Sequence, residues 1–189
     1  MRILITIAFL GIIALTLMGC SSGSQTVAGT STGDIPDWYM NVPSDPNMFF
    51  APNTQVSQDL QLAIDKAVQG GRVGIGQQVE TKITALQKRF TEETGTANNA
   101  QLLDQFQQVS KTVVSTSLSG SKVKQQKVVK DGNNWRVYVL VEYPVGAASQ
   151  ALLQQIKNNE QMYTRFRATQ GYKDLDEEAK KLEDSRKTQ

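Results

Sequence analysis

Asp131-Gly132-Asn133-Asn134-Trp135-Arg136-Val137-Tyr138-Val139-Leu140-Val141-Glu142-Tyr143-Pro144 carries a turn signal followed by a β-branched and aromatic run. Asp-Gly flanked by strand-forming residues is a hairpin signature, because glycine accepts the positive φ of a tight turn. Alternation places Trp135, Val137, Val139, Val141 and Tyr143 on one face, and Pro144 stops the strand. Upstream, Val123 to Val129 supplies the partner strand. Thr112-Val113-Val114-Ser115-Thr116-Ser117-Leu118 is also β-branched and reads as strand leading into it through Gly120. Lys122, Lys124, Lys127 and Lys130 run along the first arm of the hairpin. They suit either a solubilising edge that discourages strand pairing or a contact with anionic lipid or glycan.

Helical periodicity flanks this hairpin. Leu60, Ala63, Ile64, Ala67, Gly71, Gly74, Gln78, Val79, Ile83, Leu86 and Phe90 recur at steps of three and four. The spacing predicts one long helix, capped at Ser57, with Asp59 in its first turn and Gly95 as its stop. The run Gly70-Gly71-Arg72-Val73-Gly74-Ile75-Gly76 lies inside it, although each glycine costs about 1 kcal/mol relative to alanine in a helix. A phosphate-cradling loop lacks its Lys-Ser/Thr pair here. Close packing of helix backbone on a sheet, or a kink, is the better reading. A shorter helix fits Asn99 to Lys111, and another begins at Ala147 with Leu152, Leu153, Ile156, Tyr163 and Phe166 able to dock. Lys173 to Lys187 is charged, with sparse apolar residues at Leu175, Ala179 and Leu182, and reads as an exposed helix or solvated tail.

Ahead of the long helix, Ile35 to Pro43 holds Pro36 and Pro43, with Pro46 just beyond, and reads as extended and non-helical. Trp38 and Tyr39 within it are candidates either for a plug on the core or for an exposed aromatic partner-binding patch. Met48-Phe49-Phe50-Ala51 reads as a short strand that Pro52 ends or confines to a sheet edge. The expected fold is therefore α+β: a small antiparallel sheet with a β-hairpin, packed against one long helix and shorter ones.

The N-terminus speaks to location. Arg2 precedes an apolar run from Ile3 to Met18, broken only by Gly11 and two threonines, and the run ends in Leu17-Met18-Gly19-Cys20. This is the layout of a secretory signal peptide with a cysteine at the cut. It predicts removal of residues 1–19 and lipidation of Cys20, whose thiolate is suited to take a diacylglyceryl group as a thioether. The run falls short of the ~20 residues that span a bilayer comfortably, and no basic stop-transfer cluster follows it. Ser21 rather than aspartate follows the cysteine, which favours an outer-membrane destination facing the periplasm. Residues 21–34, rich in Ser, Gly and Thr, read as a flexible tether. Four parts are thus expected: signal peptide 1–19, lipidated cysteine and tether 20–34, domain 35–170, and charged segment 171–189.

Composition narrows the function. Cleavage removes Arg2 alone and lowers the formal net charge from +2 to +1, which argues against nucleic-acid binding. Cys20 is the single cysteine, so no intramolecular disulfide can form. The chain has no histidine, the commonest general base and metal ligand. No cofactor or metal is expected. The best acid–base candidates are Glu92-Glu93 and Glu177-Glu178, at a helix end and on the charged segment, where raised pKa values are not expected.

The lipobox, the Pro36-x-Trp38 opening, the aromatic strand, the alanine-spaced helix, the Val/Ser segment through Gly120, the Asp131-Gly132 turn and the strand Val137 to Pro144 occur in an order that resembles the Lpp-twenty family of bacterial membrane lipoproteins. The domain of that family resembles part of flagellar assembly protein T. The resemblance covers roughly residues 35–145. It implies a compact α+β domain on the periplasmic side of the outer membrane, with no catalytic residues to carry over. The family often has glycine after its first aromatic strand, where this chain has Ala51-Pro52-Asn53. The function expected is a non-enzymatic interaction or assembly module, held by membrane lipid through Cys20 and acting on an envelope protein partner. An accessory of flagellar basal structures or of peptidoglycan synthesis is the more specific alternative.

Overall fold

The computed structural model describes residues 35–187. In chain order its elements are α1 (Asp37–Met40), β1 (Met48–Ser57), α2 (Leu60–Thr94), α3 (Ala100–Gly120), β2 (Lys122–Asp131), β3 (Asn134–Pro144), α4 (Val145–Asn158), α5 (Glu160–Phe166) and α6 (Gln170–Lys187). The α+β expectation holds: one antiparallel sheet of order β1-β3-β2 packs against helices.

The hairpin closes where the sequence placed it. Asp131 pairs with Asn134, Gly132 takes φ +58°, and Arg136 Nη2 donates to Asp131 Oδ2 at 2.7 Å. β3 is central, so its odd positions carry the core: Val137, Val139 and Val141 are fully buried and Tyr143 nearly so. The even positions Tyr138 and Leu140 are buried too, so the middle of β3 is covered on both faces. The uninterrupted apolar run Val137 to Val141 is the sequence form of that double burial.

β1 runs ten residues, so Pro52 does not end it but sits on an edge strand, the other of its two expected placements. It lies at a sheet edge, where a residue without an N–H costs no ladder bond on the inner side. The edge is also partly occupied, since Gln78 Nε2 donates to the Phe50 carbonyl at 2.9 Å. The other edge, β2, carries a bulge between Val123 and Gln125, which re-aims Lys124.

α2 spans 35 residues without interruption through the glycine run. Its N-cap is Asp59, two residues beyond the expected Ser57, with Asp59 Oδ1 accepting from Leu62 N at 2.7 Å. Ser57 Oγ accepts instead from Asp59 N. Gly95 ends the helix in the left-handed region, as its position implied. The glycines are where α2 meets the sheet. A Cβ on Gly71 would overlap the Val141 side chain and lie 3.4 Å from the Ala51 carbonyl, and one on Gly74 would lie 2.9 Å from Ala51 Cβ. Close approach is therefore the role of this run. Gly71→Ala should destabilise the domain by about 1–3 kcal/mol through overpacking, despite alanine's better helix propensity. Gly71→Leu should cost more. Gly76→Ala should cost less than Gly71→Ala, because its Cβ would meet only side-chain ends, Leu118 Cδ2 at 3.0 Å and Val114 Cγ1 at 3.4 Å. Urea unfolding of the variants is the measurement, and equal midpoints for Gly71→Ala and wild type would disprove the close approach. Val141→Ala should restore part of the stability lost in Gly71→Ala, since the two sites share one contact.

Three segments differ from their sequence reading. Thr112 to Leu118 is not strand: α3 continues to Gly120. Leu102, Phe106, Val109, Val113 and Ser117 repeat at helical steps and are buried, so packing overrides β-branched propensity. The hydroxyls assist by bonding back along the helix, Thr112 Oγ1 to the Gln108 carbonyl at 3.1 Å and Thr116 Oγ1 to the Thr112 carbonyl at 2.9 Å. Ile35 to Pro43 is not wholly extended, because α1 forms one turn between its prolines. Pro36 sits at the N-cap, where its missing N–H costs nothing, and Asn41 Nδ2 donates to Asp37 Oδ1 at 2.7 Å. Finally, the charged segment after residue 170 is neither tail nor solvated helix. As α6 it buries Tyr172, Leu175 and Ala179, and at Gly146 a Cβ would lie 2.7 Å from Leu182 Cβ, so α4 and α6 are in close contact.

The helical layer has its own aromatic centre. Phe90 of α2 stacks on Phe166 of α5, with centroids 4.8 Å apart, and Phe106 of α3 packs at 5.9 Å and 5.7 Å from these two rings. Three helices separated in sequence are joined there by large apolar area.

Candidate partner-binding surface

Cys20, the residue expected to carry lipid, lies outside the described residues, as do the signal segment and most of the tether. Trp38 and Tyr39 are within them. α1 places both on the sheet face opposite α2. The Tyr39 ring meets Tyr138 edge-on, with centroids 5.0 Å apart and planes at 71°, and Trp38 stands 6.4 Å from Tyr39 in the same manner. Edge-to-face geometry sets the positive rim of one ring against the negative face of the next. Both aromatics are half-buried. Tyr39 covers the outer face of β3, and Trp38 keeps surface available to a partner.

Exposed apolar residues continue this surface along the chain, with Met40 at 66% exposure and Val42 at 41%. Val56, at the edge of β1 and on the same sheet face, adds a third. At the other end of the same sheet face Lys124 Nζ reaches Glu142 at 2.8 Å and lies 4.9 Å from the Phe50 ring centroid. The surface is a small apolar strip, with the charge at that far end. The pairing of Tyr39 with Tyr138 was not evident in the sequence, where alternation assigned Tyr138 to the side away from the core.

Of the four carboxylates offered as acid–base pairs, Glu93 and Glu178 serve as joints between helices. Glu92 faces Lys88 one turn away, at 3.9 Å. Glu93 accepts from Arg89 Nε at 2.9 Å and from the backbone N–H groups of Gln170 and Gly171 at 2.7 Å and 3.3 Å, which ties the end of α2 to the start of α6. Glu177 is exposed, while Glu178 accepts from Lys82 at 2.7 Å and from Ser149 Oγ at 2.7 Å. Neither pair converges on a common point.

Asp174 completes the α2–α6 joint. Gln170 Nε2 and Arg89 Nη1 each donate to it at 2.7 Å, and these bonds hold its carboxyl below the usual aspartate range. A depressed folded-state pKa contributes stability that is complete above the unfolded value of about 4 and is lost as pH falls through the folded value. Acidification below pH ~4 should therefore loosen α6, and Asp174→Asn should flatten that part of the stability profile. Thermal melts across the acid range check this. An unchanged profile in Asp174→Asn would show that the joint contributes nothing, as many exposed ion pairs do.

Among the described residues no helix is long and apolar enough to cross a membrane, and no cluster of three or more acidic, cysteine or histidine side chains stands ready for a metal ion. Comparison of the chain with protein-family models, curated proteins and solved structures gives no match.

Proposed function

We propose that this chain is a lipid-anchored envelope protein whose α+β domain faces the periplasm and acts as a non-enzymatic interaction module. The apolar run ending in Leu17-Met18-Gly19-Cys20 carries the anchoring part of this reading. Ser21 supports the outer membrane as destination. The interaction part rests on Trp38, Met40 and Val42, which remain open beside the buried central strand β3. The engagement of Glu93 and Glu178 in helix joints supports a binding role over an acid–base one. The resemblance to the Lpp-twenty family enters with one mark fewer, because the Val/Ser segment through Gly120 is helix.

A photo-crosslinking residue at Met40 tests the surface in intact cells, with Val73, an exposed residue of α2, as the control site. A discrete adduct from Met40, absent from Val73 and weakened by Trp38→Ala, is the expected result. Identical adduct patterns from the two sites would eliminate the strip as a partner surface. An adduct would also identify the partner by its mass.

A further inference from the structure

A groove of about 840 Å³ opens where the end of β3 turns into α4 and the C-terminal half of α6 passes over it. That volume is in the range of small-molecule sites. Its apolar lining comes from Met48, Tyr143 and Leu182. Its charges are asymmetric. The two acids at the groove are already neutralised by cations from outside it, Glu142 by Lys124 at 2.8 Å and Glu178 by Lys82 at 2.7 Å. Lys122, Lys181 and Arg186 also line it, and none of the three has a carboxylate within ion-pair distance among the described residues. Two elements, β2 and α6, thus bring uncompensated positive charge to one apolar concavity. Arg186 also opposes the upward push that burial gives the Tyr143 phenol, which sets the guanidinium field over the groove lining.

We propose that this groove binds an anionic amphiphile, with a phosphate ester held by Lys122, Lys181 and Arg186 and an acyl chain laid on Met48, Tyr143 and Leu182. Arginine grips phosphate oxygens in a fork, and lysines add point charge without fixing orientation. The groove is too large and too apolar for phosphate alone, which is why an acyl part is required. Of the four lysines on β2, only Lys122 lines the groove; Lys124 is held by Glu142 and Lys130 lies over the Trp135 ring at 4.0 Å. The ligand's source is either a membrane phospholipid or a soluble acyl phosphate ester.

Calorimetric titration of the mature chain carrying Cys20→Ser separates these possibilities without involving the anchor, so failure of lipidation would leave this inference untouched. The probes are dihexanoyl phosphatidylglycerol kept monomeric, dihexanoyl phosphatidylcholine, inorganic phosphate, and phosphatidylcholine vesicles with and without phosphatidylglycerol. Monomeric phosphatidylglycerol should bind, with phosphatidylcholine and inorganic phosphate weaker by about tenfold or more. The double variant Lys181→Glu/Arg186→Glu alters exposed side chains only, and should weaken phosphatidylglycerol by about tenfold or more with an unchanged melting temperature. Withdrawal of phosphatidylglycerol from vesicles would support the membrane source. Binding confined to monomers would support the soluble one. Equal affinity of wild type and double variant for monomeric phosphatidylglycerol would overturn the proposal. So would inorganic phosphate binding as tightly as the lipid, or vesicle binding that is the same for both proteins.

Discussion

Val139→Asp is expected to cost about 4–5 kcal/mol of folding stability, enough to unfold a large fraction of a domain whose total stability is of the order of 5–15 kcal/mol. Val139 is fully buried in the central strand, flanked in register by Asn53 of β1 and Gln126 of β2. α2 closes that face through Gly71 and Gly74, so neither water nor a basic side chain can reach an aspartate there. The acid would either remain charged and unpaired or take up a proton at a large cost in pKa. Val56→Asp is the matching control. Val56 lies on the outer face of edge strand β1 with 36% exposure, and the same change there should cost roughly 1 kcal/mol, a β-propensity effect. Urea unfolding followed by far-ultraviolet circular dichroism measures both. Similar midpoint shifts for the two variants would mean that α2 does not seal the sheet.

The parts of this fold legible in sequence are those where local chemistry and tertiary packing agree. Asp131-Gly132 needed only the turn's demand for positive φ, and Gly95 only the helix's demand for a left-handed stop. The alternation in β3 predicted its inner face because α2 covers that face along most of its length. Alternation put Tyr138 and Leu140 on the opposite face without showing what covers it, because the ring that meets Tyr138 comes from α1, a single turn distant in sequence and hidden among prolines. Thr112 to Leu118 failed for the opposite reason. Its β-branched side chains locally favour a strand, yet Val113 and Ser117 continue a buried stripe begun at Leu102. A four-residue step carried through the segment was the better signal than its composition. In α6 the apolar residues Leu175, Ala179 and Leu182 already had helical spacing, but the surrounding charges disguised a docking face. For the candidate surface, Trp38 and Tyr39 were visible as residue types. The groove beside Tyr143 was not, because its cations come from β2 and from α6, about sixty residues apart, and meet only through the fold.

Cys20→Ala should abolish lipid attachment altogether and leave the precursor unprocessed. The thiolate is the nucleophile that would take the diacylglyceryl group as a thioether, and neither alanine nor any other side chain in the chain can replace the single cysteine. Metabolic labelling with palmitate should fall to background, and the intact mass should retain residues 1–19. A mature wild-type protein with an unmodified Cys20 thiol would refute lipidation directly. The consequence for function follows from reach. Each buried methylene of an acyl chain contributes about 0.8 kcal/mol, so the two or three chains proposed at Cys20 would hold the protein at the membrane essentially without release. If the 14 residues from 21 to 34 form the flexible tether that their composition predicts, their root-mean-square reach is ~20 Å, at about 5–6 Å × √n. A partner inside that radius meets the domain at a high effective concentration, and one in the opposite membrane does not. Complementation of a deletion strain should therefore succeed with wild type, fail with a secreted form lacking lipid, and fail with Ser21→Asp if aspartate redirects the protein to the inner membrane. Full rescue by the lipid-free form would remove anchoring from the mechanism and favour a soluble carrier or an enzyme.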